Sequence, residues 1–479
     1  MNENKNSLWS YAEQINQYSG WNKDFVFGAL LMNISRNLGK VVQVKNISTL
    51  RPRPNLYVML VAPPFIEQKS TILDWEDKLS KEIQNIATEQ LKDMQTQQGK
   101  PLGLEPSDHT TQLIGSDLAI EDALKQYKDV HFKHSEFGSI LFTKRKAGRY
   151  DERNLSILND GFYGIVNSHN FRNNSTKEVD DTYITAFVDA HRNEINSDVL
   201  TIGLIRRFIV IIKDFQTLVP EDKIKLYSLE NETMLSQIEK DYEKRVAQGL
   251  CNLINAMPLV STDIIVDKDG LRQHESTYIF DKVEIIIPQE TLDEIIRNSL
   301  ETYQRVKQEE TLMYQHENDE LVLRGALNLA IFDFIHGDLQ ELVVLPEHVQ
   351  FMRNWLQSIS QPLKEEIDKV QTYDFLDKLK RLQSAVNSYY SKHHEPISIG
   401  MLTNNIGWFK ELDHRERGKL LNECVQRQMF MGFIFHSGKQ RRLAQIFLPN
   451  QEYDDANKLL SQYNIITDDA VEYSSKYFS

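Results

Sequence analysis

Cysteine is scarce in this chain: two among 479 residues, Cys251 and Cys424. Two such distant thiols exclude a disulfide framework and a cysteine-based zinc site, and make the cytosol the expected compartment. No apolar run reaches the roughly 18–20 residues that cross a bilayer. The start, MNENKNSLWSYAEQ, lacks the basic stretch and apolar run of a secretory signal. Neither a membrane span nor export is therefore expected. Positive charge is also short, with 55 Lys and Arg against 69 Asp and Glu, a net charge of −14. That excludes a protein that coats DNA with its whole surface, but not one with a local basic patch or a basic ring lumen. There is no internal repeat and no long low-complexity linker.

This length implies two to four domains with ample core. Residues 1–44 read mainly as helix: WNKDFVFGALLMNISRNLG carries apolar residues at helical spacing and ends at Gly39. Short apolar runs then read as strands: 55–62 (NLYVMLVA), 110–114, 130–134, 180–191 (DDTYITAFVDAH) and 208–213 (FIVIIK). Helical patterns lie between them, the clearest from Lys69 to about Gln97, while 151–170 reads as helix and turn. Strands alternating with helices predict an α/β core with a mostly parallel sheet over 45–215. The span 216–392 reads as helical, interrupted by a short strand pair near TYIFDKVEIII.

The first strand runs into Pro63-Pro64-Phe65-Ile66-Glu67-Gln68-Lys69-Ser70-Thr71 and then a helix. Strand, turn, Lys-Ser-Thr and helix is the layout of a phosphate-binding loop. Lys69 would reach the β- and γ-phosphates, Ser70 would hold Mg²⁺, and Thr71 completes the triplet. The two glycine positions of G-x-x-x-x-G-K-[ST], however, hold Pro63 and Gln68. Such a loop wraps phosphate with backbone N–H groups and needs positive φ and close approach. Proline has no N–H, Gln68 brings a Cβ into a crowded turn, and Glu67 sets a negative charge beside a polyanion. Three readings stay open: an active but divergent site, a site that binds nucleotide without turnover, and a dead site kept as scaffold. A chance helix start is the bland alternative.

A nucleotide-hydrolysing site also needs a carboxylate at the end of a neighbouring strand. Glu136 stands there, after VHFKH, but the acidic residue that would precede it is Ser135. A surface glutamate at a strand end is the other reading. Arg206 and Arg207, just before the last core strand, fit an arginine finger aimed at a neighbour's γ-phosphate; they equally fit cations at a helix end. Asp189 and His191, ending the preceding strand, lie where a sensor of the γ-phosphate is expected, although a lone histidine is more often structural. Lys144, Arg145, Lys146 and Arg149 form a basic stretch that either touches DNA or is a solvated surface.

The last section, 393–479, has a different texture. A short helix (ISIGMLTNNI), a longer one (DHRERGKLLNECVQRQM) and a hairpin turning at Ser437-Gly438 predict a winged helix-turn-helix. Within 413–442, Arg415, Arg417, Lys419, Arg427, Lys439, Arg441 and Arg442 outnumber Asp413, Glu416 and Glu423. Asp413 would cap the second helix. Arg415 and Lys419 would face a groove, while Lys439, Arg441 and Arg442 would meet phosphates. Such modules also serve as protein–protein joints.

In their order, NLYVMLVAPP…KST, TTQLIGSDLAIEDAL, SEFG, TAFVDAH and GLIRRF resemble a primase-associated, helicase-like AAA+ family of plasmids, viruses and other mobile elements, a domain-of-unknown-function family. The resemblance runs from about Trp21 to Ser358 and departs from the family at both loop glycines and at Ser135. It implies an AAA+ P-loop core followed by a helical lid, in which ELVLRGALNLAIFDF looks like the lid helix and Arg324 a sensor arginine. It also implies ATP and Mg²⁺ as cofactors, DNA as a partner, a homo-oligomeric ring, and a primase or other replication proteins nearby. ATP would be held by Lys69, Ser70 and Glu136, with Arg206 or Arg207 supplied by the neighbouring copy.

Overall fold

The computed structural model describes residues 6–44, 52–63, 69–98, 110–111, 123–124, 127–135, 137, 157–170, 175–191, 204–213, 228–268, 271–309, 315–437, 442–449 and 471–472. The chain is mixed α/β and divides into two compact units, 1–367 and 368–479. In the first unit the N-terminal helices, the sheet and the helices after 228 share one hydrophobic core, from Leu8 to Leu363.

The first unit opens with α1 (Ser7–Ser19) and α2 (Lys23–Asn37). Each starts on an asparagine, Asn6 and Asn22, whose side chain accepts two backbone N–H groups of the first turn. Short β1 (Val42–Val44) precedes the central strand β2 (Tyr57–Val61). Then come α3 (Lys69–Gln98), β3 (Thr110–Thr111), β4 (Asp129–His134), a hairpin of β5 (Ile165–Asn170) and β6 (Ser175–Asp180), β7 (Tyr183–Ala190) and β8 (Phe208–Ile212). Strands β3-β4-β7-β2-β8, in that spatial order, form a parallel sheet. Every residue of β2, β7 and β8 is buried. A parallel sheet covered on both faces needs such continuous apolar strands, which is why these runs are visible in the sequence. The β5–β6 hairpin replaces part of the helix and turn expected up to residue 170.

Helix α2 is buried on every side from Phe25 to Asn37 and lies close to the sheet. A Cβ on Gly28 would sit 2.6 Å from Ile211 Cδ1 and 3.4 Å from Val58 Cγ1, so glycine permits that approach. Helix α4 (Leu229–Ala256) packs on α3 and α1. A ten-residue hairpin, β9 (Leu259–Lys268) and β10 (Leu271–Phe280), follows it. It is longer than the expected strand pair because an antiparallel ladder needs no apolar run. Strand β11 (Val283–Ile285) pairs in parallel with β1. Helices α5 (Gln289–Glu309) and α6 (Asp319–His336) follow, and α7 (Pro346–His393) begins here and ends in the second unit.

The second unit has its own core, including Leu379, Leu382, Phe409, Leu421 and Phe447. Strand β12 (Ile397–Ser398) leads to α8 (Ile399–Asn405), α9 (Gly407–Glu411) and α10 (His414–Gln426). Asp413 caps α10 in a full capping box with Glu416. The expected hairpin is β13 (Phe430–Ser437) with β14 (Arg442–Pro449), in a sheet ordered β12-β14-β13-β15 with β15 (Val471–Glu472). No described helix is long and apolar enough to cross a membrane.

A polar network is buried between α2 and α3. Arg36 pairs with Glu76 at 2.9 Å and with Asp77 at 3.0 Å. Asn33 donates to Glu76 (3.2 Å) and Ser80 (3.0 Å), and Asn37 donates to Ser80 (2.8 Å). Arg36→Ala would leave Glu76, fully buried, without its guanidinium. A loss of about 3–5 kcal/mol in chemical denaturation is expected; a loss below ~1 kcal/mol would show that the pair does not hold the helices.

The α3–α4 contact carries a second charge feature. Burial raises the Glu243 carboxyl, and Glu239 and Glu82 raise it further, to about 7, against Lys78 and Lys240. A raised carboxyl keeps its proton in the folded state while the unfolded chain has lost it. Its neutral form therefore favours the fold below the ordinary glutamate range, and stability falls as pH rises towards 7. Glu243→Gln is expected to raise the melting temperature by about 2 °C near pH 8 and to leave it unchanged near pH 5. The reverse pH dependence would refute the assignment.

Candidate nucleotide site

In an open parallel sheet, ligands bind outside the carboxyl ends of the strands, where neighbouring strands send their connections in opposite directions. From β2 the chain passes to β3, on the β7 side; from β7 it passes to β8, on the far side of β2. The switch point therefore lies between the ends of β2 and β7, which run in parallel with Leu60 beside Asp189 and Val61 beside Ala190.

Four expected site residues converge there: Lys69, Ser70, Asp189 and His191. Lys69, the first residue of α3, is buried, and its Nζ lies 2.7 Å from the Ala190 carbonyl oxygen and 3.0 Å from His191 Nδ1. An ammonium only donates, so His191 accepts at Nδ1 and carries its proton on Nε2. Ser70 Oγ donates to Asp189 Oδ2 at 2.9 Å, and Asp189 is 1% exposed. Thr71 is exposed on α3. A lysine and a hydroxyl at the N-terminus of a 30-residue helix suit a polyanion, because the helix dipole and the ammonium act in the same direction. A hydroxyl beside a carboxylate offers the hard oxygen ligands that suit Mg²⁺.

The sequence reading missed the Ala190 carbonyl, since a backbone acceptor leaves no mark in residue type. It placed Asp189 as a sensor and did not foresee its bond to Ser70. A carboxylate at the end of an otherwise apolar strand was the available signal.

The other expected residues lie elsewhere. Arg206 and Arg207 precede β8, whose Phe208 pairs with Tyr57 at the start of β2. They stand at the opposite end of the sheet from Lys69, roughly four strand steps or ~13 Å along β2. Arg206 is exposed, and its carbonyl accepts from Asn318 Nδ2 at 2.9 Å. Arg207 is half-buried, 5.2 Å from the Tyr163 ring centroid, and donates to the Tyr163 hydroxyl at 3.5 Å. Neither faces the Lys69 of its own chain.

Arg324 requires a correction. Both of its terminal nitrogens are engaged at the amino end of β2, not at the Lys69 end. Its guanidinium donates to the Asn55 carbonyl (3.1 Å), the Asn55 side chain, the Phe162 carbonyl (2.8 Å) and Glu320 (2.8 Å). It also stacks 3.7 Å from the Phe162 ring centroid. Burial lowers its pKa, opposed by the Glu320 carboxylate. This is an arginine that holds α6 to the sheet.

Glu136, Lys144, Arg145, Lys146, Arg149, Lys439 and Arg441 lie outside the described residues, as do the side chains of Arg415 and Arg442. Lys419 is exposed on α10. Two of the basic residues in that region have partners within the fold. Arg417 donates to the carbonyls of Phe409 (3.0 Å) and Lys410 (2.8 Å), and Arg427 pairs with Glu423 at 2.6 Å. Both cysteines are free and buried, and burial pushes Cys251 up to about 11 and Cys424 up to about 12, so neither is an activated thiol.

No model of a known protein family matches the chain, and no curated protein sequence matches it.

Arg324→Met should lower stability by about 3 kcal/mol or more, because Glu320 and two carbonyls lose their donor. Any nucleotide binding by the unaltered chain should persist in the fraction that remains folded. Nucleotide binding lost in a fully folded variant would return Arg324 to the site.

Proposed function

We propose that this chain is a cytoplasmic, helicase-like AAA+ protein that takes ATP with Mg²⁺ and acts on DNA during replication of a mobile element. It would work as a ring of identical copies, beside a primase or other replication proteins. The observation that carries this reading is the meeting of Lys69 and Ser70 with the end of β7 at the switch point of a parallel sheet. Bound ATP supplies the phosphoryl group and Mg²⁺ spreads its charge. Lys69 binds the phosphates, Ser70 orients the ion, and Glu136 is the candidate for positioning the attacking water.

Arg206 supports the ring. It is exposed at the far end of the sheet, so it can complete only the site of another copy. The second unit supports DNA contact: a capped helix, α10, followed by a β-hairpin is the order of a winged helix, and Lys419 is exposed on that helix.

One alternative is a non-hydrolysing DNA-binding assembly factor, or a winged-helix transcriptional regulator, on the same scaffold. Pro63 and Gln68 at the glycine positions favour it. Turnover of ATP decides between them. The expected result is turnover stimulated by single-stranded DNA and abolished in Lys69→Ala. Arg206→Ala should lower turnover on the order of 10³-fold. Mixing it with Lys69→Ala should restore part of the rate, because an intact Lys69 would then meet an intact Arg206. Turnover equal in wild type and Lys69→Ala sinks the motor reading. DNA binding that ignores ATP would then favour the assembly factor, and sequence-selective duplex binding the regulator.

A further inference from the structure

At the end of β4 the position just before Glu136, where an acid is expected, holds Ser135. The adjacent strand has one. The β4–β7 ladder ends at His134 beside Val188, one residue short of Ser135 and Asp189. Asp189 thus occupies the same row of the sheet as Ser135, one strand spacing or about 4.8 Å nearer to β2. The Ser70 hydroxyl already donates to Asp189 Oδ2 at 2.9 Å.

We infer that Asp189 has taken over as the protein carboxylate of the Mg²⁺ site, working with Ser70 on the ion that accompanies a nucleoside triphosphate. This rests on the nucleotide reading above and assigns a residue within it. A carboxylate that is 1% exposed is costly to bury, and its placement against Ser70 gives the cost a use. Mg²⁺ keeps several waters and takes one or two protein oxygens, so a hydroxyl and one carboxylate are a sufficient protein share. Ser135 suits this arrangement, since a carboxylate there, one strand away, would repel Asp189 before the ion arrived.

The test measures binding, apart from turnover. A fluorescent N-methylanthraniloyl ATP is titrated into the full chain with Mg²⁺ and with EDTA. Wild type is expected to bind more tightly with Mg²⁺. Asp189→Asn should lose about 10–100-fold in the Mg²⁺-dependent part, and Ser135→Ala should lose none. An Asp189→Asn chain that keeps the full Mg²⁺ effect overturns the inference and leaves the nucleotide reading standing. Wild type that binds no analogue in either buffer overturns both. A second measurement does not depend on the Asp189→Asn chain folding: the wild type is loaded with ATP and Fe²⁺ in place of Mg²⁺ and exposed to ascorbate and peroxide. Dominant backbone cuts at 188–191 and 69–71 support the assignment. Dominant cuts at 134–137 refute it.

Discussion

The fold of the first unit depends on a buried ion pair. Arg36 of α2 holds both Glu76 and Asp77 of α3, and α3 is the helix that begins at Lys69. Glu76 lies about 10 Å along the helix from Lys69, so the clamp fixes the register in which Lys69 and Ser70 meet the sheet. The same network reaches other elements. Tyr242 of α4 donates to Asn33 at 3.2 Å. His131 of β4 lies 4.0 Å from Glu76, and its Nδ1 is 2.9 Å from Thr185 Oγ1 of β7. Burial, with Arg36 and Lys133 nearby, holds His131 well below its ordinary range and hence neutral. One polar cluster therefore joins the helix carrying Lys69, the strand leading to Ser135 and the strand carrying Asp189. Asp77 shows which term wins: burial pushes its carboxyl up, yet bonds from Lys81 and Arg36 and the charges of Arg36 and Lys133 bring it down to about 2. Its stabilising charge is present above the ordinary aspartate range and is lost only as pH falls towards 2.

The two ends of the sheet perform different tasks. At the carboxyl end, polar side chains of α3 and the end of β7 meet across a switch point. At the amino end, Arg324 and Asn318 secure α6 against Asn55, Phe162 and Arg206 with bonds to backbone carbonyls. Backbone partners cannot rotate away, so this end is a fixed support. Asn318 also caps α6 through Glu320 and Leu321 N–H, so a single side chain terminates the helix and sets the entry to β8. An exposed Arg206 on such a support would be presented to a neighbour in a defined direction.

The sequence showed the strands of the sheet because burial on both faces makes their residues apolar without interruption, as YVMLV and FIVII illustrate. The capped helix and hairpin of the second unit were legible for a similar local reason: Asp413 with Glu416, and a Ser-Gly turn between apolar segments. The role of Arg324 was not legible. Within ELVLRGALNLAIF an arginine reads the same whether it faces a phosphate or a carbonyl, and only the chain's three-dimensional path brings Asn55 to it. The β9–β10 hairpin was partly hidden because its ladder is satisfied by backbone pairs whatever its side chains are. The contact of Ser70 with Asp189 joins residues 119 positions apart, and nothing local to either announces it.

The engaged state of Lys69 bears on the missing glycines. In a glycine-rich loop the backbone N–H groups hold phosphate and the lysine adds charge. Here Pro63 offers no N–H, so for a bound phosphate more of the binding energy would have to come from the lysine, the helix dipole and any accompanying metal. Yet Lys69 already bonds Ala190 and His191, and a phosphate gains only the difference between its own bonds and those. A phosphate oxygen would add its own negative charge opposite the ammonium, which the Ala190 carbonyl does not carry, so Coulomb attraction would favour such an exchange. The exchange would also release the end of β7. A ligand taken by Lys69 would therefore be felt first at Ala190 and His191, next to Asp189, through the breaking of the two bonds that Lys69 makes there.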